Sequence, residues 1–263
     1  MKQVLTIAGS DSGGGAGIQA DIKTIQANGG FAMSVITSVT AQNTREVTDA
    51  FDLPVNVIAA QLDAVFSDFD VAALKTGMLS SSAIVQTVAR KLREFAPDNL
   101  VIDPVMLSKS KYALLKPSAV DSLKAELMPL ATLITPNIDE AEVLAGCEIN
   151  TIEDAKTAAA AIRDYGVKAV LVKGGHLPGP QATDVLYCDG TFTLFEAERI
   201  ETKNTHGTGC TYSAAIATRL ALGEDLVSAV RMAKDYVTNA IRHSLDIGGG
   251  HGPTNHFYFL GQR

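Results

Sequence analysis

The sequence predicts a three-layer α/β/α fold, in which a mostly parallel central sheet is flanked by helices on both faces. Short apolar runs rich in β-branched residues alternate with longer segments whose apolar residues recur at helical spacing. Strands that alternate with helices are joined by right-handed crossovers, which make the strands parallel and pack the helices on the sheet. The 263 residues contain no internal repeat, low-complexity tract or linker, so we expect one domain over residues 1–263.

Each element is predicted from a local pattern. The apolar runs that predict strands are Val4–Ala8, Ser34–Val39, Ala72–Thr76, Leu100–Asp103, Leu133–Thr135 and Ala169–Lys173. The stripes that predict helices are Ile84, Val88, Leu92 and Phe95, then Leu226, Val230, Ala233, Val237 and Ile241, with another apolar helix over Tyr212–Leu222. Residues 182–200 break this alternation, since Asp189-Gly190 separates two alternating segments and predicts a small β-hairpin.

Composition and charge exclude several classes of protein. The apolar share of 46% and the charged share of 19% are typical of a globular protein and exclude a disordered or fibrous one. The formal net charge of −7 argues against nucleic acid or an anionic membrane as the main partner, because both bind clustered Lys and Arg. No uncharged apolar run reaches the roughly 18 residues that a membrane span needs.

The cysteine content indicates a reducing compartment. Cys147, Cys188 and Cys210 are odd in number and far apart, and they form no CxxC motif. A disulfide framework or a zinc knuckle is therefore not expected. The N-terminal apolar stretch is too short for a signal peptide, so the expected setting is the cytoplasm.

Glycine-rich and polar segments follow the predicted strands. They are Gly9–Gly17, Thr40–Asn43, Gly77-Met78, Asp103–Met106, Thr135–Glu140 and Gly174–His176. Ligands of open parallel sheets bind beyond the carboxyl ends of the strands. We therefore expect these segments to meet at one edge of the sheet and to form the functional site there.

The glycine run after the first strand has more than one interpretation. Gly15-x-Gly17-x-x-Ala20 matches the dinucleotide fingerprint formally, but the acidic residue expected about 20 positions later is missing. A Walker A loop is excluded because no Gly-Lys-Ser/Thr follows. Two interpretations stay open at this point, namely a tight turn and a loop whose backbone approaches a ligand closely, as only glycine permits.

The segment Asn204–Thr211 predicts an anion site. Gly207 and Gly209 leave the N–H groups of residues 207–210 free to converge at a helix start, where the helix dipole favours negative charge. Cys210 lies in the first turn, where the pKa of a thiol is expected below its usual ~8.5. The alternatives are a buried structural cysteine and a Cys-His nucleophile with His206, for which nothing else in the sequence argues.

Two acidic residues are candidate metal ligands. Asn137 and Glu140 have the spacing of a capping box, and the alternative for Glu140 is a role at a metal or phosphate site. Asp103 ends an apolar strand just before Pro104. A carboxylate in that position favours a metal site over a core role, because burial without a partner is costly.

Seven blocks together resemble a known family. They are Ile7–Asp11 continuing through Gly14–Asp21, Thr40–Thr44, Lys75–Leu79, Asp103–Met106, Ile134–Asn137, Lys173–His176 and Asn204–Cys210. In this order they resemble the hydroxymethylpyrimidine/phosphomethylpyrimidine kinases of thiamin biosynthesis, and the resemblance extends to Gly252-Pro253 and His256-Phe257. The family belongs to the ribokinase superfamily. The resemblance therefore implies a ribokinase-like fold and transfer of a phosphoryl group from ATP, with Mg²⁺, to a hydroxymethyl group and then to the resulting monophosphate.

The resemblance also implies roles for individual residues. It places the aminopyrimidine ring against Gly9, Ala16, Thr40, Gln42, Met78 and Val105, with the Gln42 amide hydrogen-bonding to the ring. It makes Gly207, Thr208 and Gly209 the anion hole for the transferred phosphoryl group and Cys210 the base that accepts the hydroxyl proton. It directs Lys173, Asn137 and Asn204 to the nucleotide phosphates, and Asp103 and Glu140 to Mg²⁺.

The sequence departs from the family pattern at two places. Lys109-Ser110-Lys111-Tyr112 replaces the usual Lys-Ser-Gly-Asp of a loop expected to close over the substrate, and Thr40 replaces an apolar residue. Pyridoxal kinases share the fold, so a pyridoxal kinase is the alternative enzymatic function. A pyrimidine-binding protein without catalysis is the alternative from a different class of function. Small-molecule substrates are the expected partners, and the resemblance to the superfamily implies a homodimer.

Overall fold

One sheet organises the part of the chain that this computed structural model describes, residues 1–108, 112–175, 177 and 179–261. Its strands are β1 (Gln3–Asp11), β2 (Phe31–Gln42), β3 (Val47–Asp52), β4 (Val71–Thr76), β5 (Leu100–Ile102), β6 (Leu133–Ile134), β7 (Ala169–Val172), β8 (Gln181–Cys188) and β9 (Thr191–Glu198). Their spatial order is β3-β2-β1-β4-β5-β6-β7-β8-β9.

The strand directions confirm the predicted mostly parallel sheet. From β2 through β1 and β4 to β7, all neighbouring strands are parallel, whereas β3, β8 and β9 pair antiparallel with their neighbours. The predicted hairpin is β8–β9. Its turn residues Asp189 and Gly190 have φ values of 48° and 75°, as a two-residue turn of type I′ requires.

Helices cover both faces of the sheet, which confirms the three-layer arrangement. They are α1 (Gly17–Ala27), α2 (Val55–Phe66), α3 (Ser82–Phe95), α4 (Pro117–Ser122), α5 (Ile138–Ala145), α6 (Ile152–Arg163), α7 (Thr208–Ala221) and α8 (Leu226–Arg242), with a π-helical turn at Leu123–Leu127 and 3₁₀ turns at Met128–Leu130 and Tyr258–Leu260. One buried cluster lies between the sheet and α2–α6, and a second lies between the sheet and α1, α7 and α8. In the described residues, no helix is both long and apolar enough to span a membrane.

Alternation along the strands decides which side chains lie beneath α7. Leu5 and Leu74 belong to the cluster under α2–α6, whereas Val4 and Ala73 belong to the cluster under α7 and α8. Successive side chains of a strand point to opposite faces. Thr6 and Lys75 therefore lie on the α7 side of the sheet.

The structure differs from the prediction at several element boundaries. β1 and β2 extend to Asp11 and Gln42, so Gly9 and Thr40 lie inside strands instead of following them. The strand β3 was not predicted, because an edge strand with one well-buried residue, Val47, has little apolar patterning. Helix α7 starts at Thr208, earlier than Tyr212, because polar residues and glycines occupy its first turn.

Candidate active site

The structure brings the predicted site residues to the carboxyl edge of the parallel strands. Gly9, Thr40 and Gln42 lie near the ends of β1 and β2; Met78 follows β4; Asp103 and Val105 follow β5; Asn137 precedes α5; Lys173 follows β7; and Gly207, Thr208, Gly209 and Cys210 open α7. Lys109, Ser110 and Lys111, from the loop that departs from the family pattern, and His176, from a block that carries the resemblance, lie outside the described residues. The single-edge arrangement expected for parallel sheets is thus present.

The first turn of α7 has the geometry of an anion site. Gly207 is the N-cap with φ 77°, and a Cβ on it would lie 1.8 Å from the carbonyl oxygen of Gly15, so glycine is required there. No side chain among the described residues caps the helix. Within the described part of the chain, the N–H groups of Gly209 and Cys210 have no backbone acceptor. These free donors, together with the helix dipole, favour an anion at this position.

The Cys210 thiol is more basic than the sequence predicted. Its residue is partly accessible, but the thiol lies deep in the protein, and burial raises its pKa to about 12. Lys75 and the backbone N–H of Gly17 act in the opposite direction. The expectation of a lowered pKa was wrong for this ligand-free state, because desolvation of the thiolate outweighs the helix start and the nearby cation.

A buried ion pair lies beneath α7, and the sequence analysis missed it. The Lys75 Nζ lies 2.9 and 3.0 Å from the two carboxylate oxygens of Asp21, and the Thr6 hydroxyl donates to Asp21 at 2.6 Å. All three residues are fully buried. The signal was a lysine inside the apolar run of β4, where an unpaired charge would be too costly. Asp21 and Cys210 nevertheless raise the pKa of Lys75 above its usual value against the effect of burial.

A second ion pair touches the start of α7. The Lys173 Nζ donates to Asp103 Oδ1 at 2.9 Å, and the Ser213 hydroxyl lies 3.4 Å from Asp103 Oδ2. A Cβ on Gly209 would lie 3.4 Å from both Lys173 Nζ and Asp103 Oδ2. Lys173 and Asp103 are therefore immediate neighbours of the free N–H groups, and Asp103 has the partner that its burial demands.

The capping box of α5 is confirmed, and its glutamate also faces the second ion pair. The Glu140 N–H donates to Asn137 Oδ1 at 2.9 Å, and the Asn137 N–H donates to Glu140 Oε2 at 2.8 Å. Burial raises the pKa of Glu140 to about 7, with Lys173 lowering it and Asp103 raising it further. The cap uses the Glu140 Oε2 atom, and the charges of Lys173 and Asp103 act on the same carboxylate, so the cap is compatible with a role of Glu140 at this edge.

The acidic residues fit a metal site completed by substrate phosphates better than one formed by protein side chains alone. In the described part of the chain, no group of three or more His, Cys, Asp and Glu side chains is arranged to hold a metal ion. Mg²⁺ is usually held by one or two carboxylates together with substrate phosphates. Asp103 and Glu140 fit that donor set, since both are carboxylates and the negative charge of Asp103 raises the pKa of Glu140.

The predicted ring pocket lies at the ends of β1 and β2. A Cβ on Gly9 would lie 2.9 Å from Met78 Sδ, so glycine leaves room for that methionine. Thr40 is buried, and its hydroxyl lies 3.1 Å from Gln42 Oε1. Gln42 is partly exposed, so its amide is accessible to a ligand. Val105 is also half-buried, at the end of β5.

Asp11 and His206 organise this pocket; the sequence analysis assigned Asp11 no site role and considered His206 only as a partner of Cys210 in a Cys-His nucleophile. Asp11 Oδ1 accepts the N–H of Gly13, while Asp11 Oδ2 accepts those of Gly15 and Ala16 and lies 2.9 Å from His206 Nε2. Burial would raise the pKa of Asp11, but His206 and these N–H groups hold it below its usual value. The available signal was an aspartate at a strand end, two residues before a glycine run.

Asn204 has a structural partner. Its Oδ1 accepts the N–H of Gly252 at 3.1 Å, and the backbone of His206 pairs with Pro253. The C-terminal segment therefore holds the loop that leads into α7. Contact between Asn204 and a phosphate group stays a prediction.

The chain is similar to known proteins in sequence and in structure. The family model described as phosphomethylpyrimidine kinase matches residues 11–255. The chain is 50% identical to the hydroxymethylpyrimidine/phosphomethylpyrimidine kinase of Haemophilus influenzae, with 98% of each chain covered. The phosphomethylpyrimidine kinase from Clostridium difficile has a similar structure, with a TM-score of 0.82, 46% identity, and coverage of 92% of this chain and all (100%) of that one.

A solved structure of a related kinase is also similar. The Bacillus subtilis pyridoxal kinase, in an ADP complex, has a TM-score of 0.92 and 40% identity, with 99% of both chains covered. These likenesses confirm the predicted ribokinase-like fold. Sequence and structure agree along nearly the whole chain, so the protein is a kinase and belongs to the phosphomethylpyrimidine kinase family.

Proposed function

We propose that this protein transfers the γ-phosphoryl group of ATP to 4-amino-5-hydroxymethyl-2-methylpyrimidine and then to its monophosphate, in thiamin biosynthesis. The observation that carries the proposal is the start of α7, where free N–H groups and Cys210 lie between the Gln42 pocket and Lys173. The Haemophilus influenzae relative, 50% identical, carries both kinase activities in its name. Incubating the protein with ATP, Mg²⁺ and the alcohol, and then with the monophosphate, should release ADP in both reactions.

The proposed mechanism rests on position and charge. The N–H groups of Gly209 and Cys210 hold the transferred phosphoryl group, where negative charge accumulates in the transition state, whereas the N–H of Thr208 donates to the carbonyl oxygen of Thr205 at 3.3 Å. Cys210 accepts the proton of the attacking hydroxyl. Lys173 neutralises phosphate oxygens, since its ammonium group lies beside Gly209. Gln42 fixes the pyrimidine ring, with Gly9, Ala16, Thr40, Met78 and Val105 completing the pocket.

Asp103 and Glu140 are the residues that would hold Mg²⁺, with Asn137 positioning Glu140. The metal ion supplies positive charge that neutralises the phosphate oxygens of ATP. Asn204 would contact the nucleotide phosphates through the part of its amide that Gly252 does not use.

A pyridoxal kinase is the second candidate, and the likeness to the Bacillus subtilis pyridoxal kinase favours testing it. Comparison of kcat/KM for the pyrimidine alcohol and for pyridoxal separates the two activities. Binding of the alcohol without release of ADP would instead indicate a protein that has lost catalysis. We also propose that the protein is a homodimer and acts in the cytoplasm. Light scattering of the purified protein would give the oligomeric state.

Replacing Gln42 by leucine should weaken binding of the alcohol by about 1–3 kcal/mol, the cost of leaving buried polar groups unpaired. The KM for ATP should stay unchanged, because Gln42 ends strand β2, whereas Lys173 follows β7, near the other end of the parallel part of the sheet. Steady-state kinetics with each substrate varied in turn measures both values. A wild-type KM for the alcohol would remove Gln42 from the ring pocket.

Replacing Glu140 by glutamine should make turnover depend more strongly on the Mg²⁺ concentration. The amide keeps the hydrogen bond to the Asn137 N–H, so the cap persists, but the negative charge is lost. Activity measured over a Mg²⁺ titration gives the apparent affinity. An unchanged Mg²⁺ profile would assign Glu140 to the cap alone.

A further inference from the structure

The side chain of Gln42 extends from a fixed piece of backbone. The Gln42 N–H donates to Ser12 Oγ at 2.8 Å, and the Ser12 hydroxyl donates to the Gln42 carbonyl oxygen at 2.7 Å. The side-chain amide then has two contacts. One of its ends lies 3.1 Å from the Thr40 hydroxyl, and the other lies 3.5 Å from His206 Nε2. The chemistry of these two partners decides which end is oxygen and which is nitrogen.

His206 Nε2 is a donor. It lies 2.9 Å from Asp11 Oδ2, in a pair whose two side chains are 9% and 3% exposed. The Asp11 carboxylate also accepts three backbone N–H groups and is therefore ionised, so it only accepts. Nε2 must then carry its hydrogen. The Nε2 hydrogen is directed to Asp11, so an amide oxygen 3.5 Å away accepts only a share of it, as the second acceptor of a bifurcated hydrogen bond, whereas an amide NH₂ group there would set two donors against each other.

Thr40 gives the complementary constraint. Its hydroxyl lies 3.0 Å from the carbonyl oxygen of Ser10, which only accepts, so its single hydrogen belongs to that contact. Towards Gln42, the Thr40 oxygen therefore has only a lone pair to offer. It pairs with an amide NH₂ group and not with an amide oxygen. Both contacts thus require the same orientation of the Gln42 amide.

We propose that Asp11, His206 and Thr40 are positioning residues, which hold the Gln42 amide with Oε1 towards His206 and Nε2 towards Thr40 and thereby select the ring that the kinase accepts. This inference rests on the proposed function for the identity of the ring. The amide then presents an acceptor on the His206 side and a donor on the Thr40 side. A ring with an amino group and an unprotonated ring nitrogen next to it matches that order, and the reversed order does not match.

The orientation also agrees with the position of the reacting group. In the proposed substrate, the amino group and the hydroxymethyl group are on adjacent ring carbons. His206 is four residues before Cys210, in the segment that leads into α7, so an amino group on the His206 side would direct the adjacent hydroxymethyl group towards the start of α7. The ring nitrogen then lies towards Thr40. One amide orientation therefore serves both recognition and the approach of the hydroxyl to α7.

Nuclear magnetic resonance of the ligand-free protein tests the orientation directly. The side-chain NH₂ protons of Gln42, assigned by their loss in Gln42→Leu, should show cross-relaxation with the Thr40 methyl group. Cross-relaxation with the ring protons of His206 instead would overturn the proposal. This readout needs no substrate, so it decides the orientation even if the proposed function fails.

The affinities of two ring ligands, measured by calorimetry without ATP, test whether the protein selects the ring. The ligands are the amino alcohol and its 4-oxo counterpart, in which donor and acceptor are exchanged. The wild type should prefer the amino ligand by at least about tenfold, because unpaired buried groups reject the other. His206→Leu frees the amide to turn and should reduce this preference to about threefold or less, whereas His206→Gln, which keeps a donor for Asp11, should retain it.

Thr40→Val is the milder variant, since it keeps the shape of the side chain and removes only the hydroxyl. It should lower the preference, and Thr40→Ser should not. Thermal unfolding and ATP binding of each variant show whether the fold persists. A preference that stays at the wild-type value in folded His206→Leu and Thr40→Val would overturn the proposal, and failure of the wild type to bind either ligand would instead refute the proposed function.

Discussion

Replacing Cys210 by alanine is expected to lower kcat by at least about 10²-fold, the low end of the effect of removing a general base. The protein should still fold and bind both substrates, because the N–H groups of the α7 start, Lys173 and the Gln42 pocket remain. Single-turnover measurement of ADP formation gives the chemical step, and equilibrium binding gives the affinities. A kcat close to that of the wild type would leave catalysis to the anion hole and the metal ion alone.

The pH dependence of the rate gives a second test of Cys210. A base acts only when it is deprotonated, and burial raises the pKa of this thiol to about 12. The kcat of the wild type should therefore rise with pH above 7. Cys210→Asp places a carboxylate there, so it should recover part of the rate and move the rising limb towards acid.

The other two cysteines provide a matched control. Cys147 is exposed, and Cys188 is partly exposed in β8, away from the start of α7. Their replacement by serine should leave kcat unchanged. In that background, a thiol reagent should inactivate the kinase through Cys210, slowly near pH 7 and faster as the pH rises, because the reagent needs the thiolate and burial raises the pKa of this thiol to about 12. Bound pyrimidine alcohol should protect the enzyme. Inactivation at the same rate with and without the alcohol would separate Cys210 from the substrate pocket.

Replacing Lys75 by methionine is expected to destabilise the protein by about 3–5 kcal/mol, the usual cost of breaking a buried ion pair from one side. The methionine leaves the Asp21 carboxylate fully buried, with the Thr6 hydroxyl as its remaining side-chain partner. Urea unfolding monitored by circular dichroism gives the free energy of unfolding.

A double variant separates the charge from the packing. Lys75→Met combined with Asp21→Leu removes both charges, so it should recover part of the lost stability. Lys156→Met is the surface control, because its partner Glu153 is 78% exposed, and little change is expected. A Lys75→Met protein as stable as the wild type would mean that Asp21 is neutral in the folded state.

Local patterns were sufficient for much of the fold. Alternating and helical periodicities gave the parallel strands β1, β2 and β4–β7 approximately, the stripes of α3 and α8, and the β8–β9 hairpin through Asp189-Gly190. The capping box at Asn137 and Glu140 was also predictable, because both of its hydrogen bonds join residues three positions apart. Edge strand β3 was missed, because exposure leaves few apolar residues to define a pattern.

By itself, the sequence determined the layers of the fold, the edge at which the functional residues meet, and, through its motifs, the family. Only the tertiary structure decided the partners and ionisation of the charged groups: Asp21 with Lys75, Asp11 with His206, and the pKa of the Cys210 thiol. The cause of this difference is the separation along the chain between the residues that interact. Periodicity and capping act within one turn or one strand, whereas the paired groups are 54 and 195 residues apart in the chain, and desolvation depends on every element packed around them.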